Sequence, residues 1–353
     1  LNQNNELIIE LPTYLNALKI YALFYRIIEN VNREFNNNLP LNSSSHYLQK
    51  YLFQVLDRHS KDKKLCFYNI YKNVKNDEIN IAKVEQTRLI LKNSFNWDCE
   101  IEKLYSDNNN GCKVGVSKAI SWFFSNEKEG IILEDDCIPH NDYFHFAAVL
   151  LEKYRHDSRI WCISANNVQE GEKVGKSSYF FSRYSHCWGW ASWSRCWKSY
   201  DPDIKNWPIL KEEKIINKIF YRKKEIKYWE KVFDNIYYKS IPNTWDYQWS
   251  YTCFINSGLT IIPEINLVNN IGFDNEATHT KNGASSTNNP ELLHAKSGLF
   301  PLVHPLAVVR SKEADIRTEN NRYSGYSFYT IKFYITALIK IFKKFSKLII
   351  KNI

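Results

Sequence analysis

The chain has 353 residues, of which 44% are hydrophobic and 15% are aromatic. That is enough apolar material for one large α/β domain or two modest ones, and it argues against a disordered chain. The formal net charge is +9, but six lysines and no acidic residue stand in the last 23 residues, so the remainder is close to neutral. A nucleic-acid-binding surface is therefore not expected.

The eight cysteines show neither a Cys-x-x-Cys pair nor the spacing of a zinc site. Several stand inside apolar runs, as Cys66 and Cys162 do, which is typical of buried, reduced thiols. We see no signal peptide and no apolar run long enough to span a bilayer. These features predict a cytoplasmic protein.

Predicted helices and strands alternate along the first half of the chain. Residues 17–35 have the apolar spacing of a helix. Amphipathic stretches then predict helices over residues 46–60, 79–94, 113–127 and 142–157, and short apolar runs predict strands over residues 63–68, 99–105, 130–136 and 159–167. Such alternation indicates a mostly parallel sheet. Later segments predict a charged helical hairpin over residues 210–238 and a helix over residues 247–258.

Three acidic residues, Glu134, Asp135 and Asp136, close the apolar run that begins at Gly130. Adjacent carboxylates repel one another, so a fold tolerates them where a cation lies opposite. In parallel sheets, ligands bind beyond the carboxyl ends of the strands. Because carboxylate oxygens suit Mn²⁺ or Mg²⁺, the cluster predicts a site for one of these ions. The alternative is that the acids cap the following helix.

Several blocks carry a family resemblance when they are read in order. They are "GVSKAI", "IILEDD", "WGWASWSRCW", "TWDYQW" and "NIGFDNEATHT". Together, over roughly residues 85–280, they resemble the nucleotide-sugar glycosyltransferases of GT-A fold. The resemblance is strongest to bacterial surface-polysaccharide relatives of the N-acetylglucosaminyltransferase I family. It implies an α/β fold, with a Rossmann-like, mostly parallel sheet flanked by helices.

The resemblance also implies a role for individual residues. Asp136 would bind the metal ion together with Asp135 and His279, and Glu134 and Asp135 would contact the donor. Asp246 would be the general base; the alternative is that it caps the predicted helix over residues 247–258. His279 is open to a second interpretation, a simple hydrogen bond.

Further residues are implied in donor and acceptor binding. The donor set adds Asn69, Gly115, Ser117, Trp188, Gly189 and Trp190. The acceptor set is Trp245, Tyr247 and Trp249. Asn69 stands where the relatives have an aspartate, and "NSSS" stands where they have Asn-Arg-Pro. Gly189, between two tryptophans, would allow close approach of a ligand. The alternative is that it allows tight packing of the tryptophans.

Four regions follow from these assignments. Residues 1–45 form an extension or supply the first strand and helix. Residues 46–280 form the GT-A domain, divided into a nucleotide and metal half over residues 46–175 and an acceptor half over residues 176–280. Residues 281–325 form a polar loop and a segment that wraps around the domain. Residues 326–353 form a basic amphipathic helix that lies on the membrane or, alternatively, packs on the domain.

The predicted function is that of an inverting, metal-dependent hexosyl- or N-acetylhexosaminyltransferase. It would move a sugar from a nucleotide-diphosphate donor, a UDP-sugar, to a hydroxyl of a bacterial surface glycan such as lipopolysaccharide or capsule, at the inner face of the cytoplasmic membrane. One alternative is an inactive GT-A module that binds glycan or acts as a scaffold. Another is a nucleotidyl- or phosphotransferase, against which the absence of a Gly-rich phosphate loop argues.

Overall fold

The computed structural model describes residues 19–24, 64–69, 100–106, 110–134, 136–270 and 294–323. For the first two ranges we describe the backbone alone. Ten strands lie in these ranges: β1 (Lys19–Phe24), β2 (Lys64–Asn69), β3 (Glu100–Tyr105), β4 (Glu129–Glu134), β5 (Cys137–Pro139), β6 (Ile160–Ser164), β7 (Tyr179–Ser182), β8 (Trp190–Trp193), β9 (Leu259–Pro263) and β10 (Val268–Asn270).

Eight helices accompany the strands in the same ranges. They are α1 (Gly111–Asn126), α2 (Asn141–Tyr154), α3 (Ser194–Trp197), α4 (Trp207–Glu212), α5 (Ile215–Ile219), α6 (Lys223–Lys239), α7 (Asp246–Ile255) and α8 (Lys312–Arg322).

The main sheet has eight strands in the order β3-β2-β1-β4-β8-β6-β9-β7. The four strands from β3 to β4 are parallel, and β6 is parallel to β9. The two strands β8 and β7 are antiparallel to their neighbours. Six of the eight strands described in this sheet therefore point the same way. The predicted α/β fold, with a Rossmann-like and mostly parallel sheet, is confirmed.

The centre of the sheet is apolar on both faces. In β4, Ile131, Ile132 and Leu133 are all buried, and every residue of β6 is buried. A strand covered on both sides needs such a continuous apolar run rather than an alternating one. The helix α2 packs against β4, β6 and β8. The acidic end of β4 therefore emerges directly from the core.

A second buried cluster lies under the long helix α6. Its apolar residues Trp229, Phe233 and Ile236 are spaced by about one helical turn and so share a face. They pack with Tyr251 and Phe254 of α7. This cluster ties α6 and α7 together and thereby places the N-terminus of α7.

Two predictions about elements are wrong. The predicted helix over residues 17–35 contains the strand β1, which pairs with both β2 and β4. A short apolar run such as "KIYALF" has no periodicity that separates a buried strand from a helix. The predicted hairpin over residues 210–238 consists of three helices, because Lys214 adopts a left-handed conformation with φ 53° between α4 and α5. The strands from β7 to β10 were not predicted.

The described part of the C-terminal region, residues 294–323, returns to the edge of the sheet. The backbone N–H of Ser311 donates to the carbonyl of Phe181 in β7 at 2.8 Å. In α8, the buried Asp315 accepts a hydrogen bond from Ser182 at 2.6 Å and lies 3.3 Å from the Arg310 guanidinium. This packing covers the exposed edge of β7.

Candidate active site

The acidic end of β4 does not cap a helix. Glu134 is the last residue of β4, and Asp136 lies in the turn that leads to β5. β5 pairs antiparallel with β10, so a strand separates the acids from α2. The N-cap of α2 is His140, whose side chain accepts a hydrogen bond from the backbone N–H of Asp142. The capping interpretation of the acidic cluster is therefore wrong.

Asp246 is the first residue of α7, and the N-cap is Trp245. The carboxylate of Asp246 accepts a hydrogen bond from the Thr244 hydroxyl. The indole N–H of Trp245 donates to Oε1 of Glu134 at 3.2 Å. This contact joins two motifs that are 111 residues apart in the chain. It brings the predicted base next to the acidic end of β4.

Two cysteine thiols lie within electrostatic range of these carboxylates. Burial, followed by the charges of Glu134 and Asp246, raises the pKa of Cys112 to about 12. Burial also raises the pKa of Cys187 well above its ordinary value, and the charges of Asp246, Glu134 and Asp136 raise it further. All three carboxylates therefore lie near a single thiol. We call Glu134, Asp136, Asp246, Cys112 and Cys187 the carboxylate site.

Two stacked aromatic side chains hold the turn that contains Trp245. The Tyr200 hydroxyl donates to the Trp245 carbonyl at 3.2 Å. The ring of Tyr200 stacks on Trp197 with centroids 4.1 Å apart and an interplanar angle of 10°. These contacts hold the turn ahead of α7, so the position of Asp246 is set by side chains that pack rather than by a loop.

The expected direct role of three tryptophans in ligand binding needs correction. Trp190, Trp245 and Trp249 are 0%, 2% and 1% exposed. The ring centroids of Trp190 lie 5.6 Å from those of Trp245 and 5.4 Å from those of Trp249. Their faces are occupied by one another, so they cannot stack on a sugar. Trp245 acts on the site through its N–H instead.

Gly189 also packs against protein rather than against a ligand. Its φ is +66°, and a Cβ added there would come within 3.3 Å of the Ala165 Cβ and 3.4 Å of the Leu133 side chain. Its carbonyl accepts a hydrogen bond from the N–H of Ala165 at 2.7 Å. Close packing, the alternative interpretation, accounts for this glycine.

Gly115 and Ser117 lie inside α1, beyond its first turn, and both are buried. The Ser117 hydroxyl donates to the carbonyl of Lys113 at 2.6 Å. The block "GVSKAI" therefore does not open the helix, and the first free N–H groups belong to residues 111–114. Neither residue is placed to contact a donor directly.

Trp188 and Tyr247 are the chain neighbours of Cys187 and Asp246 of the carboxylate site. Both keep part of their surface exposed. The Arg322 guanidinium lies 5.5 Å from the centroid of the Trp188 ring. Tyr247 follows Asp246 directly, and its hydroxyl lies 3.4 Å from the Tyr228 hydroxyl. Contact of Trp188 with the donor and of Tyr247 with the acceptor stays a prediction.

Asn69 ends β2 at the same edge of the sheet as Glu134. In the sheet register, Asn69 lies opposite Phe24 of β1, and Leu23 lies opposite Glu134. Two strand spacings, about 10 Å, therefore separate the two backbone positions. Asp135 and His279 lie outside the described residues.

The oxygen ligands that the described residues offer suit a divalent ion that is shared with a nucleotide. No group of three His, Cys, Asp or Glu side chains among the residues described here could hold a metal ion by itself. An ion that bridges a diphosphate needs only one or two protein carboxylates, because phosphate oxygens and water complete its shell. Glu134 and Asp136 offer such hard oxygen ligands at the strand end.

Several residues of the site were missed from the sequence. Cys112, Cys187, Thr244 and Tyr200 carry no motif of their own. Thr244 stands two residues before Asp246, and only its position in the "TWDYQW" block could have suggested a role. The others come from distant segments and meet the carboxylates only in the folded chain.

No protein-family model and no curated protein sequence matches this chain. Solved structures that align with part of this chain include a UDP-glucose pyrophosphorylase in complex with UDP-glucose. The two chains are 9% identical with a TM-score of 0.27, and the alignment covers 52% of this chain and 79% of the pyrophosphorylase. HddC from Yersinia pseudotuberculosis is 12% identical with a TM-score of 0.27, and the alignment covers 52% of this chain and 80% of HddC. Likeness at this level carries no inference about activity.

Proposed function

We propose that the protein is an inverting glycosyltransferase that uses a nucleotide-sugar donor. The observation that carries this proposal is the Trp245–Glu134 hydrogen bond of 3.2 Å, which joins a strand-end acidic cluster to a separate carboxylate, Asp246. A donor site and a base are the two parts that such a transfer needs. The residues proposed for these two parts lie near the carboxyl ends of the parallel strands, where ligands of open α/β folds bind.

Asp246 is the proposed general base. It would take the proton of the acceptor hydroxyl while that oxygen forms a bond to the anomeric carbon. The bond from this carbon to the diphosphate breaks at the same time, and its electron pair leaves with the nucleotide. Thr244 donates a hydrogen bond to Oδ1 of Asp246 and would thereby orient the carboxylate.

Glu134 and Asp136 are the proposed donor-side residues. Asp136, with Asp135, would hold the Mn²⁺ or Mg²⁺ ion, and Glu134 would contact the ribose or the donor sugar. When bound, such an ion neutralises the charge that develops on the leaving diphosphate. The N–H of Trp245 fixes the orientation of Glu134.

The finer parts of the proposal rest on the sequence resemblance. They are a UDP-sugar as donor, a bacterial surface glycan or lipid-linked glycan as acceptor, and attachment to the inner membrane surface through residues 326–353. No helix in the part of the chain that the structure describes is long and apolar enough to cross a membrane. The C-terminal segment lies outside that part.

Calorimetric titration of UDP, GDP and CDP, with and without Mn²⁺, tests the proposal. We expect one nucleotide to bind in a metal-dependent way to the wild type and not to Asp136→Ala. Asp142→Ala, which changes an acid outside the carboxylate site, is the matched control and should bind normally. If well-folded wild type binds no nucleotide under any condition, the proposed function is wrong, and the inactive glycan-binding module takes its place.

A further inference from the structure

Three tyrosines from three separate elements meet beside Asp246. Tyr228 lies on α6, Tyr247 lies on α7, and Tyr323 directly follows α8. The hydroxyls of Tyr228 and Tyr247 are 3.4 Å apart, and the rings of Tyr228 and Tyr323 have centroids 5.9 Å apart. The residues are 19 and 76 positions apart along the chain. Only the fold brings them together.

These tyrosines form a layer of half-buried rings in front of a fully buried aromatic cluster. All three keep part of their surface exposed, whereas Trp229 and Tyr184 behind them are fully buried. The Tyr323 ring stacks on Tyr184 with centroids 5.3 Å apart and lies 4.9 Å from Trp229. Apolar packing explains why rings stand here. It does not explain why each ring carries a hydroxyl.

The charge of Asp246 acts on two of the three hydroxyls, those of Tyr247 and Tyr323. Burial raises the pKa of Tyr323 well above its ordinary value, and the charges of Tyr247, Cys187 and Asp246 contribute further. Burial likewise raises the pKa of Tyr228 and of Tyr247. The phenols therefore stay protonated and able to donate at neutral pH.

We propose that Tyr228, Tyr247 and Tyr323 form a subsite for a neutral sugar ring of the acceptor. Their rings supply apolar faces and their hydroxyls supply hydrogen bonds, which is the combination that sugar recognition uses. An acidic sugar is disfavoured because Glu134, Asp136 and Asp246 concentrate negative charge nearby. The placement of the sugar hydroxyl against Asp246 rests on the proposed function; binding of the ring itself does not.

The test measures binding of methyl glycosides by saturation-transfer-difference NMR in the presence of Mn²⁺ and the nucleotides. The probes are methyl glucoside, methyl galactoside, methyl N-acetylglucosaminide and, as the acidic comparison, methyl glucuronide. We expect a neutral glycoside to bind, and its dissociation constant to rise about three- to tenfold in Tyr228→Phe and Tyr323→Phe, which each remove one hydroxyl. Tyr238→Phe, an exposed tyrosine on the same helix as Tyr228, should bind like the wild type.

Phenylalanine keeps the ring, so the variants should keep the near-UV circular dichroism and melting temperature of the wild type. Unchanged binding in both variants would overturn the proposal, as would a wild type that binds none of the neutral glycosides or binds the glucuronide better. Nucleotide titration separates the two ideas. If a nucleotide binds but no glycoside does, the proposed function stands and this subsite is wrong. If a glycoside binds but no nucleotide does, only the proposed function is wrong.

Discussion

Glu134 and Trp245 show how one hydrogen bond links the two halves of the site. The N–H of a buried indole has to find an acceptor, and a carboxylate at a strand end has to keep one orientation to act on a ligand. The 3.2 Å contact satisfies both needs. A tryptophan that looks like a sugar platform in the sequence thus acts as a hydrogen-bond donor.

Replacement of Trp245 by phenylalanine should separate this role from packing. Trp245→Phe keeps an aromatic ring but removes the donor to Glu134, so we expect nucleotide affinity to fall about tenfold, as measured by calorimetry. Trp190→Phe is the matched control. It makes the same change in a neighbouring buried ring whose N–H has no hydrogen-bond partner in the described part of the chain. Equal losses of affinity in both variants would show that packing alone matters.

Asp246→Asn should remove the proposed base while leaving the proposed donor site intact. The amide keeps the shape of the carboxylate and can still contact Thr244, but it cannot take a proton. We expect the rate of sugar transfer to fall by about 10²- to 10⁴-fold with unchanged nucleotide affinity. The rate is measured as nucleotide release in the presence of acceptor. Retention of wild-type turnover would exclude Asp246 as the base.

The residues of the site differ in how far their sequence predicts them. Glu134 and Asp136 are predictable, because an apolar run that ends in acids marks the carboxyl end of a strand. Asp246 is implied by the family resemblance of the "TWDYQW" block, and its role as a base stays a prediction. Cys187 and the pairing of Trp245 with Glu134 are not predictable, because they depend on contacts between distant segments. The burial of Trp190 and Trp249 is not predictable either, since the same sequence pattern fits a buried core and a sugar-binding surface.

At the scale of elements, Gly189 controls how β8 enters the sheet. It stands just before β8 with φ +66°, a conformation that costs other residues about 1–2 kcal/mol. Its missing Cβ also allows close contact with Ala165 and Leu133. Both features favour glycine for reasons of backbone and packing.

Gly189→Ala should therefore lower the free energy of unfolding by about 2 kcal/mol or more, measured by urea denaturation. Gly298→Ala is the matched control for backbone strain. That glycine also has a positive φ, +96°, but a Cβ there would meet nothing within 4 Å. We expect a smaller loss, about 1 kcal/mol, at Gly298. Equal losses at the two sites would mean that contact with Ala165 adds nothing.

The elements with distinct periodicity are the ones that the sequence predicts well. The helix predicted over residues 142–157 is observed as Asn141–Tyr154, and the strand predicted over residues 99–105 is observed as Glu100–Tyr105. β1 lies in a segment that predicts a helix, because a short apolar run fits both a helix and a buried strand. The strands β7 and β8 lie in a segment dense in aromatic residues, where neither period stands out.

At the scale of the whole molecule, the basic C-terminal segment should decide membrane binding. Changing Lys340, Lys343, Lys344 and Lys347 to glutamine removes four charges, each contributing on the order of 1 kcal/mol at an anionic surface. We expect sedimentation with phosphatidylglycerol vesicles to weaken at least about hundredfold. Changing the exposed Lys223, Lys227 and Lys231 of α6 is the control and should have little effect. If the tail variant binds as the wild type does, the tail packs on the domain instead.

The stability of the whole molecule should depend on pH through His186. Burial, followed by the charge of Arg322, lowers the pKa of His186 from 6.5 to about 3. Between these two values the unfolded chain binds a proton that the folded chain does not. The free energy of unfolding should therefore be highest above pH 6.5 and fall as the pH decreases, by about 2 kcal/mol between pH 8 and pH 5 from this group.

Urea denaturation of His186→Gln across this pH range isolates the contribution, since glutamine cannot take up a proton. Glutamine changes the packing at every pH, so the slope against pH is compared and the absolute stability is not. Between pH 8 and pH 5, we expect the free energy of unfolding to fall by about 2 kcal/mol less in the variant than in the wild type. His156→Gln, at an exposed histidine, should keep the wild-type slope. A wild-type slope in His186→Gln would mean that His186 accepts its proton in the folded state, and that the segment beside Cys187 opens to water in acid.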